Sequence, residues 1–305
     1  MRNLQAPPYD GVNTWTLSTA RKCQIAGLTE EETETVITSF ESDLRSDRCF
    51  TDDEITRAIN TVFSTQPDRA VSKWPPVDQE TQRRVIAEQS HVTLATLQQC
   101  SPEPLDQDPK ELLEKLFPGD PLLCVSREFN SGTITHQLSG ISPAFLKGAS
   151  FIVPSPMSAR TGRTKDGRLS AHCLDNTGAR RYLPFEIDDK AISKNQQAGL
   201  INYIAAYAPL VAVTNSAGKS LHALFLVEGL PEASGSPLER FFAHSAALGA
   251  DPRMWTRSQF TRMPSGTRRI TGGVVHEPRR QSLIYFNPTN RRKGSPVQTS
   301  NPSLS

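Results

Sequence analysis

The spacing of hydrophobic positions changes near residue 120. Before that point apolar residues recur every three or four positions, as Ile55, Ile59 and Val62 do, which is the period of one face of an α-helix. After it, short runs rich in β-branched and aromatic residues predict strands: "LLCV", "SFIV", "YLPFEI", "LVAVT", "LHALFLV" and "SLIYF". We therefore predict an α+β protein, with a largely antiparallel sheet preceded by an all-helical N-terminal region.

Helix starts and breaks refine this division. Thr29 with Glu32, and Thr51 with Glu54, have the spacing of capping boxes, and further helices are expected near 79–89, 92–99 and 109–116. Within the strand-rich part, helices are expected near 195–207 and 237–248. The predicted organisation is a helical region at 1–117, an α+β domain at 118–288 and a polar, disordered tail at 289–305.

Composition indicates a globular protein without a membrane span. The chain has 305 residues, 36% hydrophobic and 22% charged, and no apolar run approaches the roughly 20 residues that cross a bilayer. Five widely separated cysteines include no C-x-x-C pair, so neither a disulfide framework nor a zinc site is indicated. The N-terminus lacks the apolar core of a signal peptide, and we expect a reduced, cytoplasmic protein.

A net charge of +2 conceals a strong asymmetry. Residues 1–120 hold 12 Lys and Arg against 21 Asp and Glu, whereas residues 251–293 hold 10 against 2. A basic segment of this kind is either a solvated face or a surface for a polyanion such as nucleic acid.

The stretch "TNSAGKSLHALF" contains the Gly-Lys-Ser ending of an ATPase P-loop. The P-loop pattern also needs a glycine five positions before Gly218, where this chain has Val213, and it leads into a helix rather than a strand. The stretch instead predicts two strands joined by a tight loop. Ser220, His222 and Leu224 would then share one strand face, beside Lys219 and Ser216.

A second stretch, "RRYLPFEIDD", places two carboxylates on one strand face. Glu186 and Asp188 flank Ile187, which would point into the core, while Pro184 indicates an edge strand or a bulge. Carboxylate pairs are common on solvated strand edges, but hard oxygen ligands also suit Mg²⁺ or Mn²⁺.

A third carboxylate follows a well-marked helix. Ser236 and Glu239 can cap its start, Gly249 can end it, and Asp251 comes next. A basic loop around a Pro-Ser-Gly turn comes after it, "MWTRSQFTRMPSGTRR".

The ordered set of an acidic pair, a serine–histidine strand and an aspartate ahead of "RMPSGTR" resembles the archaeo-eukaryotic primase (primase–polymerase) superfamily. The likeness covers about residues 120–290 and is greatest to primase-like proteins of phages, plasmids and mobile elements. It implies a primase–polymerase (RRM-like) core. The N-terminal "GLTEEETETVITSF…CFTDDEITRAINTVF" is more faintly similar to the helical PriCT domain, which in that group usually follows the catalytic domain.

The resemblance implies a metal-dependent nucleotidyltransferase, a DNA primase or primase–polymerase that copies single-stranded DNA with NTPs or dNTPs. Glu186, Asp188 and Asp251 would hold two Mg²⁺ or Mn²⁺ ions, although the family more often has Asp at the first position. His222 would contact the nucleotide phosphates. Further nucleotide contacts would come from Lys219, Ser220, Ser216 and Arg262, and nucleic-acid contacts from Arg257, Arg268 and Arg269. A separately encoded helicase is the expected protein partner.

Two alternatives remain open at this stage. A non-catalytic nucleic-acid-binding module, such as a replication-initiation or defence-associated factor with a degenerate primase fold, would share the basic segment without needing a metal. A structural interpretation treats the motifs as ordinary strand edges and leaves their order unexplained. Trp255, Phe260 and Tyr285 could stack on bases or simply belong to the core.

Overall fold

The computed structural model describes residues 12–26, 28–43, 49–64, 73–129, 131–268 and 278–297. The chain forms two compact units, residues 1–73 and 74–305. Helices alone precede Leu122 in the described residues, and strands and helices mix after it, which confirms the α+β class. No helix in these ranges is both long enough and apolar enough to cross a membrane.

The first unit is a three-helix cluster. Its helices are α1 (Val12–Ile25), α2 (Glu30–Thr38) and α3 (Asp52–Phe63). Both predicted capping boxes are present, at Thr29 and Thr51. The apolar faces meet in a small core that contains Ala20, Ile37 and Ile59. A likeness to PriCT remains a prediction.

The second unit contains all the described strands. Its helices are α4 (Gln79–Glu88), α5 (Leu94–Gln99), α6 (Pro109–Leu116), α7 (Pro143–Gly148), α8 (Lys194–Ile204) and α9 (Pro237–Ala247). Its strands are β1 (Leu122–Ser126), β2 (Thr133–Gln137), β3 (Phe151–Ile152), β4 (Gly162–Arg163), β5 (Leu169–Ser170), β6 (Tyr182–Glu186), β7 (Leu210–Asn215), β8 (Leu221–Leu226), β9 (Thr261–Arg262), β10 (Thr267–Arg268), β11 (Arg279–Arg280) and β12 (Leu283–Phe286).

The division between the units differs from the predicted boundary at residue 117. Helices α4 to α6 belong to the second unit, because Val85 and Leu97 join a core with α8, and Leu112 joins a core with β1. Spacing within a helix shows which face is apolar but not which element covers it. The 1–117 segment is helical throughout its described part, yet it does not form one packing unit.

Two four-stranded antiparallel sheets make up the second unit's framework. One has the order β2-β1-β3-β9 and the other β12-β7-β8-β6, while β4-β5 and β10-β11 form two-stranded pairs. Helix α8 covers one face of the second sheet, where Phe185, Ala223 and Phe225 are buried. Its other face shares a core with the first sheet, and Leu224 and Ile152 lie in that core. The predicted, largely antiparallel sheet is therefore observed as two packed sheets.

The predicted tail divides into two parts. Residues 289–297 are not the disordered segment expected from their polar composition, because Asn290 bonds to β7 and residues 294–297 bond to α8 and its end. The Val297 N–H donates to Asn202 Oδ1 (2.9 Å), the Asn202 amide donates back to the Val297 carbonyl (3.1 Å), and Ser295 Oγ donates to the Asn202 carbonyl (2.9 Å). Residues 298–305 lie outside the described residues.

Candidate active site

Strands β6 and β8 bring Glu186 beside the histidine, and Asp188 follows two residues after the end of β6. The two strands are antiparallel, and Glu186 lies directly opposite His222 in their register. Ile187 is buried in the core under α8, so Glu186 faces the first sheet, as the alternation of side chains predicts. Pro184 is tolerated because β6 is an edge strand, which confirms that expectation.

His222 is held on both ring nitrogens. Its Nε2 lies 3.2 Å from Glu186 Oε1, and its Nδ1 lies 3.1 Å from Thr261 Oγ1 of β9, in the other sheet. Ser220 Oγ donates to the same glutamate oxygen (3.1 Å) and lies 3.3 Å from His222 Nε2. The imidazole is buried, and these contacts determine its orientation.

Glu186 stays ionised despite its burial. Burial by itself would raise its pKa, but the His222 ring, the Ser220 hydroxyl and the charge of Arg262 together hold the pKa of Glu186 below its usual value. A carboxylate that keeps its negative charge in a largely buried position can act as a cation ligand.

The third carboxylate, Asp251, reaches the same place through the end of α9. Gly249, at φ +100°, reverses the chain after the helix. The backbone N–H of Asp251 then donates to the carbonyl of Glu186 (2.8 Å), which joins the segment to the end of β6. Asp251 therefore lies beside the acidic pair.

Asp188 and Asp251 are both ion-paired. Lys219 Nζ lies 2.7 Å from Asp188 Oδ1, and both side chains are about half-exposed. The Arg253 guanidinium lies 2.7 Å from Asp251 Oδ2, and the side chain of Asp251 is only 10% exposed.

A cavity of about 380 Å³ connects these groups. Its lining combines negative and positive side chains: Glu128, Glu186, Asp188 and Asp251 with Arg127, Arg253, Arg262 and Arg268. His222 also lines it. Such a mixture can bind cations through the carboxylates and phosphate through the guanidinium groups.

Arg262, a predicted nucleotide contact, is partly buried where it lines the cavity. Burial and the neighbouring Arg268 lower the pKa of Arg262 to about 10, against the opposing effect of Glu186. Its guanidinium lies 4.4 Å from the centre of the Phe151 ring, within cation–π distance. The group remains positively charged near neutral pH.

Not every predicted residue reaches the cavity. Lys219 and Ser220 contact it through Asp188 and Glu186, whereas Ser216 is buried in the β7–β8 loop, where its hydroxyl donates to the Ser220 carbonyl (2.6 Å). Arg257 donates to the carbonyl of Gly178 (3.3 Å) and does not line the cavity. Arg269 lies outside the described residues.

The Gly-Lys-Ser stretch is a hairpin loop, as the sequence predicts. Strands β7 and β8 pair antiparallel on either side of it, and Ala217 adopts a left-handed conformation with φ 56°. A strand, not a helix, follows the loop. The exclusion of a P-loop therefore agrees with the structure.

The three aromatic residues take different positions. Tyr285 is buried in the core under α8, and Trp255 packs with Trp74 and Phe242. Phe260 is buried but lines the cavity, where its ring stacks on His172 at 3.8 Å between centroids. Of these rings, Phe260 is the one at the cavity.

The three carboxylates have the right chemistry to bind a divalent cation, but each of them is paired with a protein group. Glu186, Asp188 and Asp251 supply hard oxygen atoms to the cavity lining. As placed, however, no three His, Cys, Asp or Glu side chains among the described residues are close enough to hold an ion. Each carboxylate has a protein partner instead: His222, Lys219 or Arg253.

Nothing in the sequence marked several of the cavity residues as part of a site. Arg127 and Phe129 follow β1, and Phe151 and Thr261 come from short strands, so only the folded sheet brings them together. Arg253 could have been noticed as the cation two residues after Asp251. An aspartate often accepts a hydrogen bond from the backbone N–H two residues on, which brings that residue's side chain close to the carboxylate.

Comparison of the chain with protein-family models, with curated proteins and with solved structures found no match in any of the three.

Proposed function

We propose that this protein is a DNA primase or primase–polymerase, which uses divalent metal to join nucleotides on single-stranded DNA in the replication of a phage or mobile element. The observation that supports it most is the meeting of Glu186, Asp188, Asp251 and His222 at one arginine-lined cavity, from three distant parts of the chain. The order of these residues in the sequence was the basis of the resemblance. Their shared cavity is an independent reason to treat them as one site.

The three carboxylates are the proposed metal ligands. Two Mg²⁺ or Mn²⁺ ions bound there would activate a primer hydroxyl and neutralise the charge of the leaving phosphate. Glu186 is suited to this role because its low pKa keeps it ionised in a buried position. Its longer side chain, compared with aspartate, extends the carboxylate from the strand end towards the cavity.

His222 and the arginines are the proposed phosphate contacts. Thr261 and Ser220 fix the orientation of the imidazole at the cavity lining, and a ring nitrogen would contact phosphate by exchanging one of these hydroxyl partners. Arg262 and Arg268 line the same cavity, and guanidinium groups bind phosphate in bidentate fashion. Lys219 can add positive charge once it releases Asp188.

Substitution of Asp188 tests the catalytic proposal. We expect Asp188→Ala to reduce nucleotide incorporation on a single-stranded template by about a hundredfold or more, in Mg²⁺ or Mn²⁺, because a metal ligand is lost. Primer synthesis and primer extension are measured separately, each with NTPs and with dNTPs.

Asp189 offers a matched control for that experiment. It is the next residue, its carboxylate is exposed and accepts a hydrogen bond from the Ala191 N–H, and it does not line the cavity. Asp189→Ala should keep wild-type incorporation. Full synthesis by Asp188→Ala, or equal loss in both variants, would reject the metal assignment.

A second candidate function is a metal-independent nucleic-acid-binding module. The observation that favours it is the pairing of each carboxylate with a protein group, which leaves no ready-made ion site in the described residues. Binding of a single-stranded oligonucleotide that is unchanged by EDTA, with no nucleotide incorporation in Mg²⁺ or Mn²⁺, would support this candidate.

For either function, oligonucleotide binding should weaken steeply as the salt concentration rises, because cavity arginines displace counterions from the phosphates.

The remaining assignments are part of the same proposal. The template is single-stranded DNA, the substrates are NTPs or dNTPs, and the compartment is the cytoplasm. A separately encoded helicase is the proposed partner, and the helical first unit is its proposed docking or regulatory module.

A further inference from the structure

Arg253 covers the Asp251 carboxylate completely with its own donors. Its Nε lies 3.1 Å from Oδ1 and 3.0 Å from Oδ2, its Nη2 lies 2.7 Å from Oδ2, and its backbone N–H donates to Oδ1 (3.0 Å). Both oxygens that would coordinate a cation are therefore occupied by one residue. A metal ion can reach Asp251 only after the guanidinium has moved.

The Arg253 side chain can move away because it is largely exposed to water. The Arg253 side chain is 70% exposed, whereas that of Asp251 is 10% exposed. The guanidinium enters water when it leaves, and a divalent cation at Asp251 would replace the charge it removes, so the exchange leaves no buried carboxylate unpaired. The backbone hydrogen bond from Arg253 and the bond from the Asp251 N–H to the Glu186 carbonyl remain, and they keep the carboxylate in position.

A released Arg253 has a second use in the same cavity. Its side chain lines the cavity together with Arg262 and Arg268, where the phosphates of a nucleotide would bind. A guanidinium group offers several donors in a planar fork, which matches phosphate as well as it matches carboxylate.

We propose that Arg253 exchanges partners during substrate binding: it holds Asp251 in the ion-free protein and binds the triphosphate once Asp251 coordinates a divalent cation. This inference rests on the proposed function. The partners of the other two carboxylates are less suited to such an exchange. Lys219 pairs with Asp188 without lining the cavity, and His222 is held in a buried network by Thr261 and Ser220.

The exchange predicts opposite effects of one substitution on two ligands. Binding of Mn²⁺ alone is measured by the electron paramagnetic resonance signal of the free ion, and binding of inorganic tripolyphosphate is measured by calorimetry in saturating Mn²⁺. Arg253→Ala should bind Mn²⁺ about threefold more tightly than wild type, because the competing cation is gone. It should bind tripolyphosphate about tenfold more weakly, because a charged hydrogen-bond donor is lost.

Two further variants sharpen the test. Arg253→Lys keeps the charge but loses the bidentate fork, so both affinities should lie between those of wild type and Arg253→Ala. Arg83→Ala removes the same charge from an exposed position on α4, outside the cavity, and should leave both affinities unchanged.

The outcomes separate the exchange from the proposed function. Equal or weaker Mn²⁺ binding by Arg253→Ala, with normal Mn²⁺ binding by wild type, overturns the exchange and leaves the metal site standing. Unchanged tripolyphosphate binding by Arg253→Ala overturns the proposed contact between Arg253 and the triphosphate. Absence of Mn²⁺ binding in wild type and in Arg253→Ala overturns both the exchange and the metal-dependent function.

Discussion

At the scale of single residues, Glu186 shows how the cavity keeps a charge in a largely buried position. Its side chain is 14% exposed, yet it remains charged because the His222 ring and the Ser220 hydroxyl contact one of its oxygens. The sequence predicted that Ser220 and His222 share a strand face, since alternate side chains point the same way. It did not predict Thr261, which reaches His222 from the other sheet.

The lowered pKa of Glu186 predicts a pH-dependent contribution to stability. A carboxyl whose pKa is lower in the folded state stabilises the fold above its unfolded value, near 4.5, and this stabilisation disappears as the pH falls through the folded value. The free energy of unfolding of wild type, relative to Glu186→Gln, should therefore be highest above pH 4.5 and should decrease at lower pH. Chemical denaturation at a series of pH values measures it.

Glu80→Gln is the control for that series, because Glu80 is an exposed residue in the first turn of α4 and does not line the cavity. It should not reproduce the decrease. A difference between wild type and Glu186→Gln that is constant from neutral pH to below 4.5 would contradict the role given to His222, Ser220 and Arg262.

At the scale of elements, the end of α9 decides where Asp251 lies. The helix was predicted from Ser236, Pro237 and Gly249, and it spans Pro237–Ala247. Gly249 is needed for two reasons: its φ is +100°, and a Cβ there would lie 2.7 Å from Gln82 Nε2. That amide donates to the Leu248 carbonyl (2.8 Å), so α4 and the end of α9 are packed together.

Gly249→Ala should therefore disturb both stability and the site. The strained backbone alone costs about 1–3 kcal/mol, and the new Cβ would push the Gln82 amide away from the Leu248 carbonyl that it bonds. We expect a lower free energy of unfolding, measured by urea denaturation, together with weaker Mn²⁺ binding, because the turn that positions Asp251 is displaced.

Gly229→Ala provides the matched comparison. Gly229 also has a positive φ, +79°, but a Cβ there would meet no atom within 4 Å. This variant should show the backbone cost without the change in Mn²⁺ binding. Equal Mn²⁺ affinity in both variants would show that the α9 turn does not control Asp251.

At the scale of the molecule, each compact unit has its own core. In the second unit, α4 to α6 supply buried residues such as Val85, Leu97 and Leu113 to the cores of the two sheets. Trp74 also belongs to this unit, packed with Leu183, Phe242 and Trp255. The strand-rich part therefore depends on helices that precede it in the chain.

Two fragments test this organisation. Residues 73–305 should fold cooperatively and bind Mn²⁺ like the full chain, because the second unit's core is complete. Residues 118–305 should be unfolded or aggregated, since the loss of several fully buried side chains exceeds the stability of a typical domain. Circular dichroism and thermal melting distinguish the two, and a folded 118–305 fragment would contradict the boundary at Lys73.

The sequence by itself determined the local features of this protein. Helix caps, strand alternation, the edge position implied by Pro184 and the failure of the P-loop pattern all depend on neighbours within a few residues. Such features are visible in the spacing of residue types. The same local information predicted that Glu186 points away from the buried Ile187, and it rejected a helix after Ser220, whereas β6 ends at Glu186 and does not include Asp188.

Only the tertiary structure decided which distant groups meet. Three contacts depend on residues far apart in the chain: the packing of α4 to α6, the contact of Thr261 with His222 and the bonding of residues 294–297 to α8 and its end. The ion pair of Lys219 with Asp188 likewise joins the start of β8 to the end of β6. The physical reason is that close packing and burial set these contacts, and the spacing of residues along one segment carries no information about them.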